Sequence, residues 1–412
     1  MEKVNIAILG HGVVGSGVAE VIFNHEKNIE KKSKKQICIR HILDLREFPE
    51  LSYSNLFTKD FNEILNDDSV LIVVEVMGGI HPAYEYVKAC LEKGKSVVTS
   101  NKELVAQCGA ELLKIAESNN VNFLFEASVG GGIPVLRPIA QCLAANDLYE
   151  VLGILNGTTN FILTKMVEEQ MPFEEALKLA QQLGYAEREP SADIDGHDAC
   201  RKICILAALA FGKHVYPDQV NTQGIRNVTV ADTEFAASAG YVVKLIGRAK
   251  LLENGHITAA VFPAFINKSN QLSGVDDVFN AIMVRGDAIG DVMFYGRGAG
   301  KLPTASAVVA DVIDCAKHLN ARKYLSWEDG SSDYVVTPEN EIQRFYTRIQ
   351  SEDINKAKSL AESIFKDAHF LSRNGTENEI AFITSPDKSV VLKDKIDSIS
   401  KAGKVSVLRV LD

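Results

Sequence analysis

The chain has 412 residues, of which 46% are hydrophobic and 24% are charged, and this length favours two or three domains over one. Its net charge of −10 argues against a general nucleic-acid binder and against electrostatic attachment to an anionic membrane. The apolar runs are too short for a membrane span, no signal peptide is evident, and seven scattered cysteines indicate reduced thiols, so we expect a cytoplasmic protein.

The first third of the chain alternates strand-like and helix-like segments. Strands are predicted at "VNIAILG" (4–10), "ICIRHILD" (37–44), "SVLIVVEVM" (69–77), "KSVVTSN" (95–101) and "VNFLFEA" (121–127). Helical spacing covers 11–23, 81–94 and 102–120, whereas the lysine-rich stretch 24–36 is interpreted as a solvated helix end and loop. This alternation predicts an α/β fold with a doubly wound parallel sheet of the Rossmann type.

The pattern changes near residue 133. Longer helices mix with strand-like pieces such as "HITAAVFPAFI" (256–266), which predicts a separate α+β region. After a polar junction near residue 335, the tail has the predicted order strand, helix, strand, strand, helix, strand, typical of a ferredoxin-like module. We therefore expect domains at 1–132 (completed by part of 287–330), 133–330 and 340–412.

Three glycines stand between the first strand and the first helix. Gly10, Gly12 and Gly15 form G-x-G-x-x-G, which lets the chain turn tightly and brings a pyrophosphate to bare backbone at a helix N-terminus. A purely structural turn is the alternative, but the position in a strand–helix unit favours a dinucleotide. Asp44 ends the second strand and would favour NAD, whereas Arg46, with Arg40, could accept the 2′-phosphate of NADP. The choice between NAD and NADP stays open.

Five motifs occur in order along the chain and carry a resemblance. They are "TSNKE" (99–103), "EASVGGGIPVLRPI" (126–139), "GILNGTTNFILTKM" (153–166), "LGYAEREPSADIDGHDACRKICILAALAFG" (183–212) and "MFYGRGAGKLPTASAVVADV" (293–312). Over about residues 1–330 the chain closely resembles homoserine dehydrogenase, in the monofunctional form. The resemblance implies an enzyme that interconverts L-aspartate 4-semialdehyde and L-homoserine with NAD(P)H, in threonine, methionine and isoleucine biosynthesis.

The segment "HDACRK" is predicted to be helical, which puts Asp198 and Lys202 one turn apart on one face. An ordinary surface salt bridge is the default interpretation of such a pair, and only the family motif favours catalysis. Lys202 is the expected proton donor, because an ammonium is already in the donating form at neutral pH and Asp198 would keep it so. The resemblance also implies that Lys102 is catalytic and that the substrate is bound by Glu187, Asp198, Gly184 and Lys102.

The resemblance extends to the cofactor and to a monovalent cation. The expected cofactor contacts are Gly10, Gly12, Val13, Val14, Gly15, Asp44, Arg46, Asn101, Lys102 and Gly300. Asn101, Asn156 and Thr158 are weaker candidates for polar contacts around cofactor and substrate. Gly298 and Gly300 would let the chain return past the nicotinamide, with a simple glycine turn as the alternative. In the family the "EASVGGGIP" segment binds a monovalent ion assigned as sodium. Carried over, the ligands are Glu126 and the backbone oxygens of Val129, Gly131 and Ile133; a bare glycine hinge is the alternative.

The tail resembles an ACT domain, although the usual Pro-Gly turn is absent and "SEDINKAKSL" (351–360) stands in its place. An amino-acid effector site and a dimer-forming role both stay open, and the resemblance implies a homodimer or homotetramer.

Two other functions would require different features of the sequence. Phosphorylating aspartate-semialdehyde dehydrogenase needs a nucleophilic cysteine, which "NGTTN" (156–160) lacks; an idle NAD-linked sensor is disfavoured by the intact Glu187, Asp198 and Lys202.

Overall fold

The chain is described by a computed structural model over residues 2–321, 325–373 and 377–412. Its internal contacts divide it into two units. Unit 1 comprises Met1–Val151, Arg201–Gln219 and Ile282–Tyr334, and unit 2 comprises Leu152–Cys200, Val220–Ala281 and Val335–Asp412.

The N-terminal part of unit 1 alternates strands and helices. Its elements are β1 (Glu2–Leu9), α1 (Val13–Asn24), α2 (Glu26–Ser33), β2 (Lys35–Leu43), β3 (Phe57–Thr58), α3 (Phe61–Leu65), β4 (Val70–Glu75), α4 (Ala83–Glu92), β5 (Ser96–Thr99), α5 (Lys102–Ser118) and β6 (Phe123–Leu124). The strands form a six-stranded sheet in the order β3-β2-β1-β4-β5-β6, and every recorded pairing is parallel. This is the doubly wound Rossmann order, so the predicted fold class of this region is confirmed.

Two local predictions in this region were wrong. The lysine-rich stretch after α1 forms a second helix, α2, whose Ile29 and Ser33 are buried while its lysines face solvent. The last strand is much shorter than predicted, because the chain leaves the sheet after Leu124 and enters a short 3-10 turn over Glu126–Ser128. In both cases a few buried residues determine the local structure. The polarity of the local sequence did not predict which residues would be buried.

The remaining elements follow in chain order. They are β7 (Leu148–Ile154), α6 (Gly157–Glu168), α7 (Phe173–Gln182), α8 (Ser191–Ile194), α9 (His197–Phe211), β8 (Asn221–Thr222), α10 (Val230–Ser238), β9 (Tyr241–Leu251), β10 (Ile257–Asn267), β11 (Phe279–Gly286), β12 (Gly290–Arg297), α11 (Lys301–Lys317), β13 (Ile342–Gln350), α12 (Ile354–Ile364), β14 (His369–Leu371), β15 (Glu379–Ile383), β16 (Asp387–Lys388), α13 (Ser389–Ile399) and β17 (Lys404–Leu411). Helix α11 belongs to unit 1, where it packs against α1.

Within unit 2, the tail strands continue a sheet that begins with the long hairpin β9–β10. The order is β9-β10-β17-β13-β15-β14, in which β10 and β17 are parallel and the other neighbours are antiparallel. The tail has the predicted order of strands and helices with one unpredicted addition, the two-residue strand β16. Its apolar core consists of Phe345, Ile349, Phe382 and the facing sides of α12 and α13. Amphipathic spacing therefore gave the tail elements correctly.

A buried ionic group joins the tail to helix α10. The Arg348 guanidinium lies 2.8 Å from Asp232 and 3.0 Å from Glu379, and all three side chains are at most 7% exposed. The Tyr346 hydroxyl donates to Asp232 at 2.9 Å, and Arg348 also donates to the Thr229 hydroxyl at 3.0 Å. Every charge in this group thus has a partner of opposite sign, which is what burial of charges requires.

Across residues 2–321, 325–373 and 377–412, the structure has no helix with both the length and the apolar character needed to cross a membrane.

Candidate active site

The glycine-rich turn of unit 1 is shaped to receive a phosphate. Gly10 has a φ of +98°, and a Cβ added at Gly15 would lie 2.0 Å from the Gly10 carbonyl oxygen, so neither position admits a side chain without rearrangement. Helix α1 starts directly after the turn, and its first turn contains no acidic residue. Among the described residues no side chain caps this helix end, so its N–H groups and the positive end of its dipole suit an anion.

Asp44 lies beside this turn, as predicted. Its carboxylate accepts a hydrogen bond from the His11 backbone N–H at 2.8 Å and pairs with the Arg46 guanidinium at 2.9 Å. Hydrogen bonds from Arg46 hold the pKa of Asp44 well below its usual range, with further help from the His11 N–H. Asp44 therefore stays ionised, and the Arg46 side chain, 63% exposed, has the freedom to leave it for another anion.

A cavity of about 350 Å³ opens next to these two residues. Its lining includes Asp44, Arg46, Phe48, Ser54, Phe57 and Lys59. The His11 ring packs against two of the lining rings, with centroids 4.7 Å from Phe48 and 5.0 Å from Phe57. Burial lowers the pKa of His11, which keeps the ring neutral and suited to this aromatic setting. Aromatic walls and a mixed-charge rim fit an adenosine with its ribose hydroxyls or phosphate.

A buried acid that the sequence analysis did not single out organises the carboxyl ends of β4 and β5, at the same edge of the sheet as the glycine-rich turn. Glu75, at the end of β4, is fully buried; it accepts the Met77 N–H at 2.7 Å and the Thr99 hydroxyl at 2.6 Å. Burial raises the pKa of Glu75, and these hydrogen bonds partly offset the effect. Thr99 in turn accepts the Asn101 N–H at 2.9 Å.

Asn101 fixes both the loop after β4 and the start of α5. Its side chain donates to the Gly79 carbonyl at 2.6 Å and caps α5 by accepting the Leu104 N–H at 3.1 Å. Helix α5 begins with Lys102, so the chain from Glu75 through Thr99 to Asn101 determines where that lysine emerges. The signal for Glu75 was present in the sequence as a single carboxylate inside the apolar run "VLIVVEVM", where burial of an acid requires a specific reason.

An ion pair within unit 1 joins the chain neighbours of the two predicted lysines. Arg201 of α9 lies 2.9 Å from Glu103 of α5. Arg201 directly precedes Lys202 in the chain, and Glu103 directly follows Lys102. Lys202 is 7% exposed, and Asp198, one turn earlier on α9, is 5% exposed. A solvated surface salt bridge, the default interpretation of the Asp-x-x-x-Lys pattern, does not describe two side chains buried to this degree.

In unit 2, Asn156 contacts two acids, Asp193 of α8 and Asp198 of α9. Its amide nitrogen donates to Asp193 at 2.7 Å and to Asp198 at 2.8 Å, while its oxygen accepts the Thr159 N–H at 2.8 Å and caps α6. Thr158 donates to the Tyr185 carbonyl at 2.7 Å, next to Gly184. Asp198 is therefore held in one orientation by a neighbour that the sequence ranked among the weaker candidates.

The other acids before α9 have surroundings different from those of Asp193 and Asp198. Asp195 pairs with Arg226, with a hydrogen bond of 2.9 Å, and Glu189 accepts from Ser191, so these two order the loop itself. Glu187 is exposed, and Gly184 is exposed with a φ of +76°. The structure thus brings Asn156, Asp193 and Asp198 together and does not place Glu187 in that group.

The glycine segment after β6 presents buried carbonyl oxygens. Val129, Gly131 and Ile133 are all buried, and within the described ranges no hydrogen bond is made to their backbone oxygens. The Glu126 carboxylate accepts the N–H groups of Val135 and Arg137 at 2.6 and 2.8 Å. This segment is close-packed, since a Cβ at Gly131 would lie 2.5 Å from the Gly298 carbonyl oxygen. Buried oxygens without donors are the ligands that hard cations prefer.

Comparison with known protein families gives two matches along the chain. A family model described as "Homoserine dehydrogenase, NAD binding domain" matches residues 10–126, which contain the glycine-rich turn, Asp44 and Glu75. A second model, "Homoserine dehydrogenase", matches residues 134–313, which contain Asn156, Asp198 and Lys202.

Individual relatives agree with these matches. Homoserine dehydrogenase of Lactococcus lactis is 39% identical over 85% of this chain and 83% of its own length. The crystal structure of a homoserine dehydrogenase from Thiobacillus denitrificans superimposes with a TM-score of 0.90 at 32% identity, covering 100% of this chain and 99% of that one. A hyperthermophilic archaeal homoserine dehydrogenase mutant in complex with NADPH gives a TM-score of 0.64 at 29% identity, covering 76% and 97% of the two chains.

Proposed function

The chain belongs to the homoserine dehydrogenase family, and from this premise we propose how its residues divide the work of the reaction. The enzyme interconverts L-aspartate 4-semialdehyde and L-homoserine by hydride transfer with NAD(P)H in amino-acid biosynthesis. When bound, the nicotinamide supplies or accepts the hydride. The protein must then bind a small amino acid at both ends, and deliver or remove one proton at the reacting oxygen.

Lys202 is the proposed proton donor in the reducing direction and the acceptor in the oxidising direction. As hydride reaches the aldehyde carbon, the carbonyl oxygen gains a negative charge, and transfer of one proton from the Lys202 ammonium gives the hydroxyl. The observation that carries this proposal is the burial of Lys202 one turn from Asp198 on α9, because a buried ammonium needs a nearby anion and acts strongly where water is excluded. Lys102 is the proposed second active-site lysine.

Asp198 and Glu187 are proposed to bind the polar ends of the substrate, with Gly184 against it. The amide of Asn156 supports this role for Asp198, since its 2.8 Å hydrogen bond fixes one carboxylate oxygen. A carboxylate that is already held in one orientation can bind the substrate with little further loss of side-chain freedom. The exposed Glu187 is proposed to join the site when substrate is present.

The residues of the glycine-rich turn fit a dinucleotide. The proposed contacts are the backbone of Gly10 to Gly15 for the pyrophosphate, the cavity beside Asp44 for the adenosine ribose, and Asn101, Lys102 and Gly300 towards the nicotinamide. Asp44 would accept hydrogen bonds from the ribose hydroxyls of NAD, whereas Arg46 would pair with the 2′-phosphate of NADP. The NADPH bound by the archaeal relative supports use of the phosphorylated cofactor.

Arg46→Ala is expected to raise KM for NADP by about tenfold or more while KM for NAD changes by less than about twofold, because a charge-assisted hydrogen bond contributes about 1.5–3 kcal/mol. The measurement is initial rates with homoserine at saturation and either cofactor varied. Arg40→Ala is the matched control, since Arg40 is also an exposed arginine but pairs with Asp67 at 3.5 Å and does not line the cavity. Equal effects of Arg46→Ala on both cofactors would contradict the assignment.

A monovalent cation, most simply sodium, is proposed to bind the backbone oxygens of Val129, Gly131 and Ile133 with Glu126 nearby. Three carbonyl oxygens of buried residues, to which no described residue donates a hydrogen bond, support the site, and the Glu126 carboxylate adds negative charge. Its role would be structural, because it would hold together the segment that packs against Gly298.

Replacing sodium chloride with tetramethylammonium chloride at equal ionic strength is expected to lower Tm by roughly 2–5 °C, because binding to the folded state alone adds stability by mass action. The bulky cation cannot enter a ring of carbonyl oxygens. The same comparison on Glu126→Gln should show a smaller difference between the two salts. Identical Tm values of the wild-type protein in both salts would exclude the site.

The finer organisation is also proposed by family resemblance. It comprises an NAD(P)-binding domain at 1–132 completed by part of 287–330, a substrate and dimerisation domain at 133–330, and an ACT-like tail at 340–412 in a cytoplasmic homodimer or homotetramer. The strand order β17-β13-β15-β14 supports the ferredoxin-like interpretation of the tail. The pathway position would be threonine, methionine and isoleucine synthesis, with an amino-acid effector as one role for the tail.

The experiment that tests the function is a steady-state assay with homoserine and either NAD or NADP, with and without threonine. Absorbance of the reduced cofactor at 340 nm should rise only when homoserine is present, and aspartate 4-semialdehyde should be recovered as product. A phosphate-dependent reaction of the semialdehyde, or no oxidation of homoserine with either cofactor, would overturn the assignment.

A further inference from the structure

Unit 2 contains a cavity of about 680 Å³ that none of the residues assigned to the reaction lines. One wall is the segment 336–343 that leads into the tail. The other is formed by the ends of β9, β10 and β17, including Arg248, Lys250, Thr258 and Arg409. Cavities between about 300 and 1,000 Å³ are the size that holds small organic ligands.

The strand register places two arginines on the same face of the sheet. Arg248 lies opposite Ala260 in the β9–β10 pair, and Arg409 lies opposite Ala264 in the β10–β17 pair. Alternate residues of β10 share a face, so both guanidinium groups project on the side of Ala260, Phe262 and Ala264. The Arg409 guanidinium stacks on the Phe262 ring, with its central carbon 4.0 Å from the ring centroid.

The charges lining the cavity do not balance. Four basic residues line it, Arg248, Lys250, Arg344 and Arg409, against the two acids Glu339 and Glu341. Arg248 is paired with Glu341 at 2.8 Å, and Arg344 is paired with Asp412. Among the described residues, Arg409 has no carboxylate within ion-pair distance. Burial, together with the nearby Arg248, lowers the pKa of Arg409 to about 10.

We propose that this cavity is a binding site for a small oxyanion, a phosphate or a carboxylate, held by Arg409 with the support of Arg248 and Lys250. A guanidinium that stacks on an aromatic ring is held in place and keeps its in-plane N–H groups for a planar or tetrahedral oxyanion. The anion would supply the negative charge that this half-buried arginine lacks, and charge-assisted hydrogen bonds of this kind are the strong ones.

Such a ligand would contact both β9 and β17 and also the segment that enters the tail. It would therefore stabilise the tail in its position along β10 in proportion to its concentration, as any ligand of the folded state does. The site is independent of the residues that carry the reaction, so its occupancy is testable without reference to turnover.

The test is calorimetric titration of the full chain with inorganic phosphate and, separately, with succinate. The protein is first saturated with NADP, so that binding of phosphate at the cofactor site does not contribute to the signal. Saturable binding of either anion, with a matching rise in Tm over a sodium chloride control, is expected; phosphate alone, succinate alone or both would each define the oxyanion class. Arg409→Gln should weaken that binding by about tenfold or more.

Lys358→Gln is the matched control, because it removes one positive charge from an exposed position of α12 that does not line the cavity. It should bind the anion like the wild type. If Arg409→Gln does not fold, Lys250→Gln, at a half-exposed position of the lining, replaces it and should weaken binding severalfold. The proposal fails if neither anion binds the wild type saturably, or if the folded cavity variant binds as tightly as the control.

Discussion

Lys202→Ala is expected to lower turnover by about 10²–10⁴, the usual contribution of a positioned acid–base group, while the cofactor still binds. Alanine at this position removes the only atom of the side chain that can carry the proton, and leaves the glycine-rich turn of the cofactor site unchanged. The measurement is kcat at saturating homoserine in parallel with NADPH binding followed by nicotinamide fluorescence. KM for the cofactor should stay within about threefold of the wild type.

Lys165→Ala is the matched control for this variant. Lys165 is also a helical lysine paired with an acid four residues away, Glu169, but the two side chains are 25% and 47% exposed, so loss of this partly solvated pair should leave turnover unchanged. Lys202→Arg keeps the charge with a group that does not release its proton at neutral pH, and should remain as slow as Lys202→Ala. Near-normal turnover of Lys202→Ala would exclude Lys202 as the proton donor.

Arg348→Ala is expected to lower the free energy of unfolding by about 3–5 kcal/mol, the usual cost of removing one partner from a buried ionic group. The substitution leaves the carboxylates of Asp232 and Glu379 in a buried setting without their shared cation. The loss should appear as a lower urea midpoint, detected by tyrosine fluorescence and circular dichroism. Turnover at low temperature should change little, because no reacting group is touched.

Lys358→Ala provides the comparison, since its partner Glu362 lies 4.0 Å away and both side chains are more than half exposed. Such a surface pair contributes at most a few tenths of a kcal/mol, so its midpoint should match that of the wild type. A shift of less than about 1 kcal/mol for Arg348→Ala would show that water, or a rearranged side chain, replaces the guanidinium.

The parts of the fold that repeat a regular pattern were predictable from the sequence. Alternation of apolar strands with amphipathic helices gave the parallel sheet, and the same periodicity gave the order of β13, α12, β15, α13 and β17. The two-residue strand β3 and the helix α2 were not predictable, because each depends on one or two buried contacts rather than on a repeating pattern. Pairing of β17 with β10 joins residues distant in the chain, which no local pattern encodes.

The site was predictable where a motif fixes the geometry and less so where partners are distant in sequence. Asp44 follows β2 beside the glycine turn, whereas the burial of Asp198 and Lys202 was not expected from the Asp-x-x-x-Lys pattern, whose default is a surface salt bridge. The role of Asn156 in fixing Asp198 depends on a contact across 42 positions, and that of Glu75 on Thr99, 24 positions away. Such contacts form only after the strands and helices pack, so residue type and spacing could not reveal them.

The pairing of β17 with β10 has a consequence for shortened versions of this protein. Within unit 2, β17 covers one side of β10 over Ala264–Ile266. A chain cut before β13 would leave these backbone N–H and C=O groups as an open sheet edge of mostly apolar residues, which favours edge-to-edge aggregation. A soluble truncation therefore calls for a redesigned β10 bearing charges or a bulge.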